Sequence, residues 1–134
     1  MSLSDLRAPG LAEMEALAFE AYARLPEPFR AASAGVAIRV EDFPTDDVLE
    51  EMELESPFDL LGLYTGVAIT RASVTDAPRQ PNMVFLYRRP LLDYWAEHEE
   101  TLGDLVVHVL IHEIGHHMGL SDDDIDAIEA SVKG

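Results

Sequence analysis

Residues 112–122 read HEIGHHMGLSD, and this segment decides how the rest of the chain is interpreted. On an α-helix, His112 and His116 are four residues apart and therefore lie one turn apart on the same face. Two neighbouring imidazoles can bind one Zn²⁺, which takes nitrogen ligands at roughly 2.0–2.1 Å. Glu113 follows the first histidine and would reach a metal-activated water rather than the metal. We therefore predict that Glu113 is the general base of a metal centre.

The same segment offers a third metal ligand. Gly119 falls where the helix should end, because a residue without Cβ tolerates the left-handed conformation found after a helix C-terminus. The chain can then turn back and bring Asp122 toward the metal. Two histidines and one carboxylate leave a fourth position for water, as in catalytic zinc sites. Asp122 also suits the acidic first turn of a new helix capped by Ser121. Asp126 and Glu129 are the competing third ligands.

A purely structural explanation of the histidines is a buried helix that carries them on one stripe. Three features of the sequence favour metal binding instead. The motif lies in a helix-length segment that is mostly apolar over 105–111, a glycine ends the segment, and an acidic residue follows at the spacing of a third ligand. His108 lies one turn before His112 on the same stripe. We interpret it as a hydrogen-bonded core histidine, with support of the site or metal ligation as alternatives.

The complete pattern H-E-x-x-H-x-x-G-x-x-D resembles that of small zincin-like metallopeptidases, in particular the acidic mini-zincins. The acidic helix predicted after the motif, the apolar strands before it and the short chain extend the resemblance over most of the sequence. The resemblance implies a minimal zincin-like fold in which His112, His116 and Asp122 bind zinc and Glu113 is the base. It also implies that the chain hydrolyses peptide bonds in a peptide or protein substrate.

The sequence departs from one group of related enzymes after the third ligand. Metzincin-type enzymes place a methionine turn there, but no methionine follows Met118, and only residues 123–134 follow Asp122. So short a remainder predicts a cleft that is open, weakly active or completed by another chain. The alternative to a peptidase is therefore a catalytically weak or inactive zincin-like module that binds metal or another protein.

Length and composition limit the possible classes of protein. The 134 residues suffice for one compact domain, which we predict to span residues 1–134. No apolar run approaches the ~20 residues that cross a bilayer. Residues 1–7 lack a basic start and an apolar core of signal-peptide length, and cysteine is absent. These features together predict a cytoplasmic protein that is not embedded in a membrane.

The net charge of −17 also limits the partners. Nucleic acids would be repelled, since binding them relies on Lys and Arg releasing counterions. An anionic membrane surface is disfavoured for the same reason. The plain interpretation of so much negative charge is solubility. A more specific interpretation is that the electrostatic field of this negative charge attracts cationic substrates, which the salt dependence of turnover would test.

The remaining patterns predict an α+β fold, a small twisted mixed sheet packed against an N-terminal helix and the motif helix, with a short C-terminal helix. Helices are expected where apolar residues recur every three or four positions, and strands where β-branched and aromatic residues cluster. The expected helices are 11–25, 46–54, 90–95, 101–118 and 123–132, and the expected strands are 36–40, 60–70 and 82–88. The last two strands are expected to pair antiparallel.

Two further expectations concern catalysis. In a zincin-like architecture an edge strand beside the cleft can receive an extended peptide, and the resemblance suggests residues 64–70 for that edge. An ordinary core strand is the alternative. Peptide hydrolysis also needs a donor or positive group for the tetrahedral intermediate. The unranked candidates are Tyr64, Tyr87, Arg88 and His117.

Overall fold

A three-stranded mixed sheet forms one layer of the computed structural model, which describes residues 2–66 and 82–133. The strands are β1 (Ala37–Glu41), β2 (Gly62–Thr65) and β3 (Met83–Tyr87), in the spatial order β1-β3-β2. Within the described residues, β1 and β2 are therefore the two edges of the sheet.

The central strand β3 pairs differently with its two neighbours. It runs parallel to β1, with Ile38 opposite Val84, and antiparallel to β2, with Tyr64 opposite Val84. The Tyr87 N–H donates to the Leu61 carbonyl at 3.0 Å, which makes this a hydrogen-bonded pair of the antiparallel ladder. Because such pairs alternate along the ladder, the backbone groups of Tyr64 point away from β3, toward the side of β2 on which the described residues place no further strand.

Six helices surround the sheet in the described part of the chain. They are α1 (Leu11–Ala23), α2 (Phe29–Ala32), α3 (Asp46–Glu51), α4 (Arg88–Glu97), α5 (Leu102–His117) and α6 (Asp122–Lys133). Two short 3₁₀ turns occupy Leu3–Asp5 and Pro57–Asp59. Both α1 and α5 pack on the sheet, and α6 packs on α5.

Local sequence explains where α5 begins and ends. The Thr101 hydroxyl accepts a hydrogen bond from the Asp104 N–H at 3.1 Å, which satisfies one of the free donors of the first turn. Gly119 has a φ of 83°, and the next N–H, that of Leu120, bonds back to the Gly115 carbonyl at 3.0 Å. This left-handed turn ends α5 as the sequence predicts.

The core lies between the sheet and the helices. The alternate residues Val84 and Leu86 of β3 are buried, as the two-residue period of a strand requires. They belong to one apolar cluster with side chains from four helices: Met14, Ala18, Phe29, Leu105, Leu110, Ile114 and Ile125. α5 is buried on most sides, because the sheet, α1 and α6 all contact it.

The architecture confirms the predicted α+β class, with a small mixed sheet on the N-terminal helix and the motif helix. The antiparallel pairing of the last two strands is also confirmed. The predicted strand 60–70 begins two residues late, at Gly62, and its residues 67–70 and the predicted loop 71–81 lie outside the described residues. The sequence did not predict α2. Among the described helices, none has the length and apolarity needed to cross a membrane.

Candidate metal centre

Three histidines on α5 face three carboxylates on α6. The histidines lie four residues apart on one face of α5: His108, His112 and His116. The carboxylates lie four and then three residues apart on one face of α6: Asp122, Asp126 and Glu129. The turn at Gly119 reverses the chain between the two helices and brings these faces together.

The first set of donors, which we call the motif group, consists of His112, His116 and Asp122. Asp122 Oδ1 lies 2.7 Å from His116 Nε2 and 3.8 Å from His112 Nδ1. One donor atom from each of the three side chains lies within 4.8 Å of the others, close enough to share a metal ion. The His116 and Asp122 side chains are 47% and 73% exposed, so the group opens to solvent.

The second set of donors, which we call the inner group, consists of His108, His112 and Glu129. Glu129 Oε2 lies 3.1 Å from His108 Nδ1, and Glu129 Oε1 lies 3.9 Å from His112 Nε2. Asp126 Oδ1 is 3.3 Å from the same His112 nitrogen. The Glu129 side chain is only 9% exposed. The inner group also satisfies the distance requirement for a shared metal ion.

A close approach of α6 to α5 sets the distances in both groups. Gly115, between the motif histidines, packs against Ile125, which is fully buried. A Cβ at Gly115 would lie 2.5 Å from Ile125 Cδ1 and 2.6 Å from Ile125 Cγ1. Such separations are far below the 3.5–4.0 Å at which carbon atoms normally pack. The glycine therefore permits the spacing that brings the carboxylates to the histidines.

Glu113 lies on another face of α5, toward the sheet. Its Oε1 accepts a hydrogen bond from the Tyr64 N–H at 2.9 Å, so the open edge of β2 holds the carboxylate. Burial raises the pKa of Glu113, and the nearby Asp122 charge adds to this effect. The hydrogen bond from the Tyr64 N–H and the charge of His116 act the other way and lower the pKa of Glu113. Glu113 is thus a partly buried carboxyl group that holds its proton more tightly than an exposed one.

The pKa values of Asp122 and His117 are lowered, in contrast to that of Glu113. The hydrogen bond from His116, followed by the charge of His116, lowers the pKa of Asp122. Burial lowers the pKa of His117, which keeps this ring neutral. Asp122 therefore holds the negative charge that a carboxylate ligand of a metal requires.

Comparison with known proteins agrees with this geometry. A family profile described as zincin-like metallopeptidase matches residues 33–132. The chain belongs to the zincin-like metallopeptidase family. No curated individual protein matches it. Membership in the zincin-like family implies a bound metal and peptide substrates, and both the motif group and the inner group of this chain could hold the metal.

The zincin-like site brings together most of the residues expected from the sequence. His112, His116 and Asp122 converge, and Glu113 lies beside them against β2. Asp126 and Glu129, the alternative third ligands, do not reach His116 within the motif group but face His112 from its other ring nitrogen. His108 is hydrogen-bonded to Glu129, which fits the main interpretation of this histidine.

The four candidates for a transition-state donor have different surroundings. His117 is buried at 3% exposure, and its ring lies 4.4 Å from the ring of Tyr64. Arg88 donates to the Pro9 carbonyl and to Asp42, so its guanidinium is used in holding the fold. The pKa of Tyr87 is raised to about 12 by burial and by the charges of Glu41 and Glu113.

Sequence reasoning missed two contacts of this site. The hydrogen bond from the Tyr64 backbone to Glu113 joins residues 49 positions apart, and no local sequence pattern predicts it. The burial of His117 depends on its packing against Tyr64 of β2. The only available signal was the expectation that residues 64–70 form an edge strand beside the cleft. The described part of that segment, 64–66, does adjoin Glu113 through Tyr64.

Proposed function

We propose that this zincin-like protein is a zinc-dependent peptidase of the mini-zincin type. In this proposal His112, His116 and Asp122 bind the metal, and Glu113 is the general base. One observation carries it: the Asp122 carboxylate comes from a different helix and lies 2.7 Å from His116 Nε2 and 3.8 Å from His112 Nδ1. A carboxylate and two imidazoles are the ligands of a common type of catalytic zinc site.

The chemistry of the donors fits zinc. His112 faces Asp122 through Nδ1 and His116 faces it through Nε2, so each imidazole presents one ring nitrogen to the same carboxylate oxygen. The outer side of the motif group is exposed and leaves room for water and substrate. A bound zinc would lower the pKa of a coordinated water toward about 7 and polarise the scissile carbonyl.

Glu113 supplies the proton transfers. The Tyr64 N–H fixes one of its oxygens at 2.9 Å, and the side chain is largely buried. Its raised pKa makes it a better proton acceptor than an exposed carboxylate and still able to release the proton. Glu113 takes the proton of the attacking water and delivers it to the leaving amine.

The substrate in this proposal is an extended peptide that lies along the outer edge of β2. The backbone of Tyr64 points toward that edge, where strand addition can take place. A cavity of about 380 Å³ adjoins the edge and is lined by Glu51, Met52 and residues 63–66. Glu51 and the net charge of −17 favour a basic side chain in this cavity.

The test combines turnover and metal content. A library of fluorogenic peptides is incubated with the zinc-loaded protein and with Glu113→Gln. We expect turnover in the wild type and at least a 10²-fold loss in Glu113→Gln, with zinc content unchanged. Glu97→Gln, an exposed glutamate on α4, is the matched control and should keep full activity. Turnover that persists in Glu113→Gln would refute the assigned base.

A catalytically inactive metal-binding or interaction module is the second candidate. The exposure of His116 and Asp122 and the hydrogen bond that already engages Glu113 favour it. This candidate predicts stoichiometric zinc in the wild type and in Glu113→Gln, with no turnover of any peptide in the library by either protein. The same experiment therefore separates the two functions.

A further inference from the structure

We propose that the inner group is a second divalent-cation site, which competes with the motif group for His112. It would take zinc or a similar borderline metal through His108, His112 and Glu129, with Asp126 as an additional ligand. Nitrogen and carboxylate donors in this ratio are typical of zinc sites. The inference goes beyond peptidase activity and does not depend on it.

The donor separations fit a tetrahedral ion. Ligands about 2.0–2.2 Å from zinc at tetrahedral angles lie roughly 3.3–3.6 Å apart. In the inner group Glu129 lies 3.1 Å from His108 and 3.9 Å from His112, and Asp126, beside the group, lies 3.3 Å from His112. The donors therefore surround a position that a cation can occupy with shifts of about half an ångström, well within side-chain adjustment.

The burial of the donors points to the same position. The Glu129 side chain is 9% exposed, and its Oε2 is held 3.1 Å from His108 Nδ1, so the carboxylate is fixed on the inner side of the helix pair. His112 Nε2 is buried, faces the carboxylates of Asp126 and Glu129, and makes no hydrogen bond within the described chain. A cation between these groups would satisfy the histidine nitrogen and neutralise the carboxylates.

The two groups share His112 through different ring nitrogens. Nδ1 faces Asp122 of the motif group, whereas Nε2 faces Asp126 and Glu129. A neutral imidazole has one lone pair and one N–H, so it can bind only one cation at a time. Occupation of the inner group would therefore remove a ligand from the motif group. The protein should bind one metal ion in either of two positions.

The test is a zinc titration of metal-free protein against a chromogenic chelator. Wild type should bind one equivalent, and Asp122→Ala should still bind one, more weakly, through the inner group. Adding Glu129→Gln to Asp122→Ala should lower the remaining affinity by more than about tenfold, since even outer-shell partners of a metal cost about 10–100-fold. Glu129→Gln keeps the shape of the side chain, and Asp123→Asn, exposed on the same helix, is the control.

A second variant tests the inner group in case Glu129→Gln does not fold. His108 is partly exposed, with 42% of its side chain accessible, so His108→Gln should fold even if the buried Glu129 tolerates no change. In the Asp122→Ala background it should cause the same further loss of zinc affinity. Nitrogen-15 NMR of the histidines should show the His108 ring shifting on zinc addition in Asp122→Ala.

Three results would overturn the inference. They are the absence of zinc binding in Asp122→Ala, double variants that bind as tightly as Asp122→Ala alone, and two equivalents of zinc bound by the wild type. Failure of the peptidase proposal has a different signature. If Glu129→Gln alone abolished binding while Asp122→Ala did not, the inner group would stand and the motif group would not be the principal site.

Discussion

Replacement of Gly115 by alanine should weaken both the fold and the metal site. At Gly115, α6 packs directly on α5, and Ile125 fills the space where a Cβ would lie. Phe29 lies behind this contact, 3.5 Å from the same Cβ position, and is itself fully buried. The extra methyl group can therefore be accommodated only if α6 moves outward, together with Asp122.

Two opposing effects set the change in the free energy of unfolding caused by Gly115→Ala. Overpacking a well-packed core costs about 1–3 kcal/mol, and two overlaps near 2.5 Å place this case in the upper part of that range. Alanine in a helix interior is about 1 kcal/mol more favourable than glycine. The free energy of unfolding should therefore fall by about 1–2 kcal/mol in Gly115→Ala. Zinc affinity should fall with it, because Asp122 moves away from His116.

Urea unfolding of the metal-free protein measures the first effect, and chelator competition measures the second. Gly103→Ala, in the same helix, is the matched control, because its Cβ would lie 3.5 Å from Arg24 Nη1 and 3.9 Å from Leu17 Cδ1, which are ordinary contacts. Gly103→Ala should be unchanged or up to about 1 kcal/mol more stable. Its zinc affinity should equal that of wild type.

A double-variant cycle isolates the contact. Ile125→Ala alone should cost about 2–5 kcal/mol, because it leaves a cavity. In that background Gly115→Ala should no longer be destabilising, since both overlapping atoms are gone. The reasoning is refuted if Gly115→Ala is as stable as wild type, or if its cost is the same with and without Ile125, within about 0.5 kcal/mol.

Three further predictions concern stability. Arg88→Met should lower the free energy of unfolding by about 1.5–3 kcal/mol in urea, because the guanidinium, 17% exposed, bonds to the Pro9 carbonyl and to Asp42; an unchanged midpoint would contradict this. Thr101→Ala should cost about 1 kcal/mol by removing the cap of α5, while Thr101→Ser should cost little. Folding raises the pKa of the Tyr87 phenol from 10.0 to about 12. The contribution of Tyr87 to the free energy of unfolding should therefore be complete below pH 10 and lost as pH rises toward 12. Tyr87→Phe should show a smaller loss of stability over that range, and absorbance titration at 295 nm should show one late-ionising tyrosine fewer.

The helix that carries the metal motif was predictable because its determinants are local. The spacing of His112 and His116, the Thr101 cap and the Gly119 stop each involve residues within one or two turns. Such interactions can be derived from a sequence without knowledge of the fold. The convergence of Asp122 on the histidines belongs to the same class, since only one tight turn separates them.

The arrangement of the sheet was not predictable for the opposite reason. The parallel pairing of β1 with β3 joins residues 46 positions apart, as for Ile38 and Val84, and strand periodicity alone does not select a partner or a register. The short helix α2 spans four residues, too few for a periodic signal. The two ring nitrogens of His112 face different carboxylates of α6. This arrangement depends on how α6 packs on α5, which the contact between Gly115 and Ile125 determines.

The hydrogen bond between Tyr64 and Glu113 has a consequence for the order of events during turnover. An incoming peptide chain that extends the sheet beyond β2 needs the same N–H that anchors the base. In the proposed peptidase, docking of the peptide and release of Glu113 Oε1 would then be one exchange, so both carboxylate oxygens would be free only when a peptide is in place. Without a peptide, the Glu113 carboxylate stays bonded to the Tyr64 N–H.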